Sequence, residues 1–289
     1  MTENTDQEPV RYTMMSRRSM LAAAAAVSAG AAGVAGFAAA QGGGPSSNSM
    51  SAVVTGSSRG IGAATARRLA RDGYAVTVNC VVRRDLAAGV VREIEAAGGR
   101  AVWVQADVSD PSAVRKLFDE HERAFGRPDV VIANAGIMRL APFAAMTDDD
   151  FDHMFAVNAK GSFNTLREAA RRVRDGGRIV TLSSSITQLR SPTYGPYAAT
   201  KMAQDMYASI LAKELGDRRI SVNAMAPGVV NTPLFTDGKS PEQIAGFVER
   251  TPHGRLGEPT DIADAIAGLC SSDGAWVNGQ TVFANGGIV

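Results

Sequence analysis

Short apolar runs alternate with longer amphipathic segments from Ser51 to the end of the chain. A short run rich in β-branched residues predicts a buried strand, and apolar residues recurring every three or four positions predict a helix. The predicted strands are Ala52–Thr55, Ala75–Val78, Ala101–Gln105, Asp129–Ile132, Arg178–Leu182, Ile220–Ala224 and Thr281–Phe283. The predicted helices are Ile61–Arg71, Leu86–Ala97, Tyr197–Leu215, Thr260–Leu269, one beginning at Pro111 and one capped by Thr147.

This alternation predicts the fold class. Strands that alternate with helices form a parallel sheet, and right-handed crossovers place helices on both of its faces. We therefore expect an α/β fold, a Rossmann-type doubly wound parallel sheet of about seven strands, in a single domain over residues 51–289. The ligand crevice of such a fold lies at the carboxyl ends of the strands.

The first fifty residues follow a different pattern, without any charge between Ser19 and Ser58. Arg17 and Arg18 precede an Ala- and Gly-rich stretch, so residues 1–40 resemble a twin-arginine export signal. Residues 41–50 form a Gly/Ser/Pro/Asn linker, which we expect to be flexible.

The leader leaves three possibilities for the location of the protein. Ala and Gly favour insertion into lipid only weakly, so no stable membrane span is expected, although a retained anchor is an alternative. Export to the periplasm or beyond the cell is the expectation. If translation starts near Met50, the same domain is a cytoplasmic enzyme, and a start at Met14 or Met15 leaves a basic leader.

Composition and charge exclude several functions. The chain has 30 Lys plus Arg and 29 Asp plus Glu, a formal net charge of +1, so charge gives no reason to expect a nucleic-acid partner. Two cysteines exclude a disulfide scaffold, and three scattered histidines make no metal-ligand spacing. We expect a small-molecule ligand and no metal.

A glycine-rich turn joins the first strand to the first helix. Gly56, Gly60 and Gly62 permit a tight turn and close backbone approach to a pyrophosphate, while the helix N-terminus attracts its charge. With these glycines, the expected dinucleotide contacts are Ser58, Arg59 and Ile61.

The end of the second strand bears on the choice of cofactor. An acidic residue there would accept both ribose hydroxyls of NAD, but the corresponding position is Cys80. Arg59 and Arg83, with Arg84 beside it, suit the 2′-phosphate of NADP instead, so NADP(H) is preferred over NAD(H). Alternatively, Arg83 and Arg84 are simply solvated residues at a helix start.

The third and fourth strands end in further candidate contacts. Asp107, followed by Val108, can accept a hydrogen bond from the adenine amino group, or it is an ordinary turn aspartate. Asn134, Ala135 and Gly136 follow the fourth strand, where small residues leave room for the cofactor ribose.

The most specific feature is a tyrosine and a lysine four residues apart on one helix face, Tyr197 and Lys201. Ser184 follows the fifth strand. A phenol of pKa ~10 is a poor acid–base catalyst at neutral pH. An ammonium ~4 Å away is worth roughly 4 kcal/mol at an effective dielectric of ~20, so Lys201 is expected to lower the pKa of Tyr197.

Taken together, residues 51–289 resemble the short-chain dehydrogenase/reductase family, including members similar to 3-oxoacyl carrier-protein reductases. The matching pieces are Thr55–Gly62, Asn134–Gly136, Val157-Asn158, Ser184, Tyr197 with Lys201, Pro227-Gly228, Gly254–Pro259 and Asn285–Gly287. Two positions depart from the common pattern: Ala133 stands where many members have Asn, and Asn285 replaces a frequent Asp.

The resemblance implies roles for matching residues. Tyr197 would act as general acid or base, Lys201 would hold the nicotinamide ribose, and Ser184 would bind the carbonyl oxygen. Asn158 would hold a water linked to Lys201, and Thr232 would bind the carboxamide. The remaining expected cofactor contacts are Pro227, Gly228 and Val230.

The implied function is reduction of a ketone or 3-oxoacyl carbonyl, or the reverse oxidation. A catalytically silent NADP-binding sensor is the alternative. The family also implies a homotetramer and a lid over the substrate at residues 233–251, whose mixed charges identify no substrate.

Overall fold

The structure is a computed structural model that describes residues 50–289. The predicted export signal and all of the predicted linker except Met50 lie outside the described residues. Within residues 50–289, no helix is both long enough and apolar enough to cross a membrane.

All the strand pairs of the sheet are parallel, and its order is β3-β2-β1-β4-β5-β6-β7. The strands are β1 (Ser51–Val54), β2 (Ala75–Cys80), β3 (Ala101–Gln105), β4 (Val130–Ala133), β5 (Arg178–Leu182), β6 (Ser221–Pro227) and β7 (Thr281–Ala284). The order reverses between β1 and β4, which creates the crevice expected for a doubly wound fold.

Ten α-helices connect the strands of the described domain. They are α1 (Gly60–Arg71), α2 (Arg84–Ala96), α3 (Pro111–Phe125), α4 (Asp148–Phe155), α5 (Gly161–Arg172), α6 (Ile186–Leu189), α7 (Gly195–Glu214), α8 (Pro233–Thr236), α9 (Pro241–Arg250) and α10 (Pro259–Cys270). A π-helical turn, Ala156–Lys160, joins α4 to α5, and short 3₁₀ turns lie at Phe143–Ala145 and Gly216–Arg218.

Local sequence signals explain where the helices begin. Asp110 caps α3 by accepting a hydrogen bond from the Ser112 N–H at 2.7 Å. Thr147 caps α4 in the same way, with the Asp150 N–H 3.2 Å from its hydroxyl. These two caps confirm the predicted helix starts.

The hydrophobic core has a layer on each face of the sheet. On one face, β-strand residues such as Val76 and Ile132 pack against α1, α2 and α10. On the other face, residues such as Val53 and Ile179 pack against α3, α5 and α7. Because both faces are covered, β1, β2, β4 and β6 are buried along their whole length.

The predicted fold class is confirmed, most strand boundaries shift by one to three residues, and several helices were not predicted. Strand β2 runs two residues further than predicted, to Cys80. Helix α5 was not predicted from the periodicity, because it buries polar residues such as Asn164 and Glu168. The lid region, 233–251, is not an irregular loop but contains α8 and α9, and a capping box between Ser240 and Gln243 begins α9.

Candidate active site

The glycine-rich turn between β1 and α1 packs directly against the end of β4. A Cβ atom at Gly56, whose φ is +62°, would lie 2.8 Å from Ala135 Cα, so no side chain fits there. Helix α1 begins without a side-chain cap or an acidic residue in its first turn. Ser58 and Arg59 therefore precede a helix N-terminus that favours an anion, as the dinucleotide prediction requires.

Asn79, which the sequence analysis did not single out, holds this turn in place. Its Oδ1 accepts a hydrogen bond from the Gly56 N–H at 3.0 Å, and its Nδ2 donates to Ala106 O at 3.0 Å. The Asn79 backbone also bonds with Ser57, in both directions, at 2.9 Å. A polar residue inside a buried strand was the available signal, because a buried amide requires partners.

Asn134 also holds the turn through its side chain, and its place beside the cofactor ribose stays a prediction. Its Nδ2 donates to Thr55 O at 2.8 Å and to Gly56 O at 3.1 Å. Gly136 does leave space, since a Cβ atom there would lie 3.3 Å from Asn158 Oδ1 and 3.6 Å from Lys201 Nζ.

The predicted adenosine end of the site contains two side chains that already have partners. Arg83 forms a two-pronged ion pair with Asp85, with nitrogen–oxygen distances of 3.1 and 2.8 Å. Asp107 accepts hydrogen bonds from the backbone and hydroxyl of Ser109, at 2.9 and 2.8 Å, as a turn aspartate does. The neighbouring Val108 is buried. The alternative interpretations of Arg83 and Asp107 therefore have support in the structure, and Arg59 is exposed.

Helix α7 and the end of β5 bring the three predicted catalytic side chains together. Tyr197 and Lys201 are both buried, and the Lys201 Nζ lies 5.6 Å from the centre of the Tyr197 ring. Ser184 and Tyr197 line the same cavity, and Ser184 is close enough to the Tyr197 phenol to influence its pKa. Lys201 Nζ donates to Leu182 O at 2.6 Å. The lysine is thus tied to the last residue of β5, beside the serine.

Burial controls the protonation of both groups on α7. It raises the pKa of the Tyr197 phenol well above its usual value, and the hydrogen bond from Ser184 opposes that rise only in part. Burial also lowers the pKa of Lys201 to about 8, against an opposing effect of Asp205. Desolvation has the largest effect on the Tyr197 pKa, and the lowering by Lys201 that the sequence analysis expects is not found.

Asn158 lies in the π-helical turn, fully buried, and all of its side-chain bonds are internal. Its Oδ1 accepts from the Ile137 N–H at 2.8 Å, and its Nδ2 donates to Ile137 O at 2.8 Å and to Thr200 Oγ1 at 3.1 Å. Gln204, another residue the sequence analysis missed, donates to the Asn158 backbone carbonyl at 3.2 Å. Asn158 therefore connects the end of β4 to α7.

A single cavity joins many of the predicted residues at the carboxyl ends of the strands. Its lining includes Ile61, Asn134, Gly136, Ser184, Tyr197, Lys201, Pro227, Gly228, Val230 and Thr232. A Cβ atom at Gly60 would lie 3.5 Å from the Thr232 methyl group, so this threonine faces the glycine-rich turn across the crevice. Asn285 bonds Ser185 Oγ at 3.2 Å, next to Ser184, so this departure from the family pattern still supports the site.

Apolar side chains from several elements line the rest of the cavity, beside the predicted catalytic residues. They are Ile137, Met138, Leu189, Tyr194, Leu234, Phe235 and Phe247, and the last three belong to the lid, residues 233–251. The Tyr194 and Tyr197 rings meet edge to face at 6.4 Å. The cavity therefore has a polar end at Ser184 and Tyr197 and an apolar body beneath the lid.

Comparison with known proteins agrees with this geometry. A family profile described as enoyl-(acyl carrier protein) reductase matches residues 56–289. An NADPH-dependent aldehyde reductase-like protein from Arabidopsis thaliana is 42% identical over 252 residues, covering 82% of this chain and 93% of the relative.

Solved structures share the fold. A short-chain dehydrogenase from Burkholderia cenocepacia in complex with NADP superposes with a TM-score of 0.78 at 37% identity, covering 83% of this chain and 97% of the other. The angucycline C-6 ketoreductase LanV with bound NADP has a TM-score of 0.79 at 37% identity, covering 83% of this chain and 95% of the other. The family match, the relatives and the architecture agree: this chain belongs to the short-chain dehydrogenase/reductase family of oxidoreductases.

Proposed function

We propose that this protein is an NADP(H)-dependent carbonyl reductase, which converts a ketone, an aldehyde or a 3-oxoacyl carbonyl to the alcohol, or the reverse. The observation that carries the proposal is the group formed by Ser184, Tyr197 and Lys201 in the cavity that also includes Ile61 of the glycine-rich turn. Relatives described as an NADPH-dependent aldehyde reductase-like protein and as a ketoreductase with bound NADP support the same reaction class.

The residues present fit the cofactor. Gly56 keeps the turn close to β4, α1 begins without a cap, and Gly136 leaves the space in front of Lys201 open. Lys201 and Thr232 would hold the nicotinamide half. Exposed Arg59 would bind the 2′-phosphate of NADP. Arg83 would bind that phosphate only if its ion pair with Asp85 broke.

The protein's own groups provide the proton and the position of the carbonyl. Burial raises the pKa of Tyr197, so this residue carries its proton at neutral pH. The Lys201 ammonium beside it would stabilise the phenolate and so help Tyr197 to give that proton to a carbonyl oxygen. Ser184 donates a hydrogen bond to that oxygen as negative charge develops on it. Lys201 stabilises the phenolate left behind, and the lid residues exclude water. NADPH, when bound, supplies the hydride.

The test is turnover by the full chain, measured as NADPH and NADH oxidation with a panel of ketones, aldehydes and 3-oxoacyl thioesters. We expect turnover with NADPH, and Tyr197→Phe should lower kcat by at least ~100-fold, since general acid catalysis contributes about that much. NADPH binding by the variant, followed by fluorescence, should stay within a few fold of the parent.

The silent sensor is the weaker alternative, because a sensor has no need of Ser184, Tyr197 and Lys201 together in one cavity. Tight NADPH binding without turnover of any carbonyl compound would favour the sensor. Turnover that survives Tyr197→Phe unchanged would contradict the mechanism.

We also propose that residues 1–40 direct export of the folded protein. The Arg17-Arg18 pair ahead of an Ala- and Gly-rich stretch supports this proposal. The full chain produced in a bacterial host should reach the periplasm and lose its leader, as N-terminal sequencing of that fraction would show. Arg17→Lys combined with Arg18→Lys should keep it in the cytoplasm, and equal export of both forms would contradict the assignment.

A further inference from the structure

A basic groove of about 730 Å³ adjoins the catalytic cavity on the lid side. Four cationic side chains line it, Arg59, Arg139, Lys239 and Arg250, against a single carboxylate, Asp237. Tyr194, Leu234 and Phe247 line both the groove and the catalytic cavity, so the two spaces adjoin at these residues. The positive charge of the groove therefore lies next to the apolar part of the cavity.

The cations of the groove differ in their partners. Arg139 forms an ion pair with Asp150 at 3.4 Å, which neutralises part of its charge. Within residues 50–289, neither Lys239 nor Arg250 forms an ion pair with a carboxylate. These two lid residues are the cations that would bind an anion in the groove. Arg59 also lines the groove, but its proposed partner is the 2′-phosphate of the cofactor.

Lys239 and Arg250 are held in place by aromatic rings. The Lys239 ammonium lies 4.5 Å from the centre of the Phe235 ring, and the Arg250 guanidinium lies 4.6 Å from that of Phe247. The two rings meet edge to face at 5.1 Å, and both also line the catalytic cavity. Stacking on a ring orients a cation without using up its N–H donors.

The remaining donors of the pair are available to a ligand. Each cation uses one N–H on the backbone of its own lid, Lys239 on Phe235 O and Arg250 on Gly246 O. The positive charge of Arg250 also acts on Tyr194: burial raises the pKa of the Tyr194 phenol, and Arg250 opposes that rise. Arg250 therefore acts electrostatically at the wall of the catalytic cavity itself.

We propose that Lys239 and Arg250 bind an anionic group carried by the substrate, which would be a carbonyl compound with an apolar body and a carboxylate or phosphate at its far end. The carbonyl would lie at Ser184 and Tyr197, the apolar body against Leu234 and Phe247, and the anion in the groove. This substrate class rests on the proposed carbonyl reductase function.

The test compares matched aromatic aldehydes that differ only in charge. 4-Formylbenzoate and 4-formylphenyl phosphate carry the anion, and methyl 4-formylbenzoate is their neutral partner. We expect kcat/KM to favour the anionic aldehydes, and the double variant Lys239→Gln/Arg250→Gln to lower their kcat/KM by at least ~10-fold, as loss of charged hydrogen bonds does. For the ester, kcat/KM should change less than twofold in the double variant. The control Lys116→Gln, at an exposed position of α3, should leave kcat/KM unchanged for the anionic aldehydes and for the ester.

Charge reversal gives a second arm. Arg250→Glu should reject 4-formylbenzoate and improve kcat/KM for 4-(trimethylammonio)benzaldehyde, whereas a merely structural role for Arg250 would lower both. A rise in KM for NADPH with unchanged preference among the aldehydes would assign the two cations to the cofactor and overturn the proposal.

Binding separates this proposal from the reductase function. Calorimetry with the full chain and NADP⁺ should show tighter binding of 4-(hydroxymethyl)benzoate than of its methyl ester, and the double variant should remove the difference. If the difference is present without turnover of any carbonyl, the reductase function fails and the anion site stands. Equal binding of acid and ester overturns the anion site whatever the turnover.

Discussion

At the scale of single residues, solvent exclusion determines the chemistry of the site. Tyr197 and Lys201 are both buried, and desolvation disfavours the charged form of each. The phenol therefore keeps its proton and the ammonium holds its proton less firmly, with a pKa of about 8. Tyr197 is therefore in the protonated form that reduction would need, and the Lys201 cation would offset part of the cost of removing that proton.

The protonation of Lys201 makes a prediction about pH. If its ammonium is needed to stabilise the Tyr197 phenolate, kcat/KM for reduction of a neutral carbonyl should fall as pH rises through about 8. Lys201→Arg keeps its charge throughout this range, so it should be slower but should lack that decline. The measurement is the pH–rate profile from pH 6 to 10. A decline at the same pH in both proteins would exclude Lys201 as its source.

At the scale of elements, polar side chains lock secondary structures to one another. Asn79 connects β2 to the glycine-rich turn, and Asn158 connects β4 to α7. His121 on α3 bonds the Thr77 hydroxyl at 2.8 Å and the Ser51 hydroxyl at 3.2 Å, so one ring links β1 and β2 to the helix above them. Directional hydrogen bonds of this kind fix the position of one element relative to the next. Apolar packing alone specifies that position less precisely.

His121 makes the stability of the fold sensitive to acid. Burial, with a smaller contribution from Arg174, lowers its pKa to about 4, whereas in the unfolded chain it is ~6.5. As the pH falls, the unfolded chain therefore binds a proton at His121 before the folded protein does. The stability that neutral His121 contributes is fully present above pH ~6.5 and is lost as the pH falls towards 4. Between pH 7 and pH 5 the loss from this group is about 2 kcal/mol.

Urea unfolding at the two pH values measures this loss. We expect His121→Gln to be less stable than the parent at pH 7 but to lose about 2 kcal/mol less between pH 7 and pH 5. The same pH dependence in both proteins would show that other groups cause it.

At the scale of the whole molecule, an apolar stripe lies on the outer face of α7. Met202, Met206 and Ile210 follow one another at intervals of four residues, and they are 50%, 57% and 48% exposed. Phe163 of α5, 45% exposed, lies beside the same helix, with its ring centre 6.4 Å from that of Tyr207. We propose that the stripe is one interface of the homotetramer expected from the family resemblance, since contiguous exposed apolar patches mark protein–protein contacts.

The oligomer prediction concerns Met206, at the centre of the stripe. Met206→Asp places a charge within the interface, so the assembly should dissociate to a smaller species, which light scattering after size-exclusion chromatography would detect. Lys116→Asp, on the exposed surface of α3, is the control and should keep the mass of the parent. An unchanged mass for Met206→Asp would exclude this face as an interface.

The amino-acid sequence by itself determined the order of the seven strands, six of the helices, the glycine-rich turn and the group formed by Ser184, Tyr197 and Lys201. Each is a local pattern: a hydrophobic period, a turn that needs glycine, or a spacing of four on a helix. Arg83 shows the limit of such patterns, because its charge is already used by Asp85, two residues away, which composition does not reveal.

Only the tertiary structure decided the protonation of Tyr197, the partners of Asn79 and Asn134, and the pairing of the lid cations with aromatic rings. Desolvation depends on every element packed around a group, and hydrogen bonds such as those of Asn134 join positions 78 and 79 residues apart. Lys239, just before α9, and Arg250, the last residue of α9, likewise line one groove although they are eleven residues apart. These properties belong to the packed arrangement of elements, which no local pattern records.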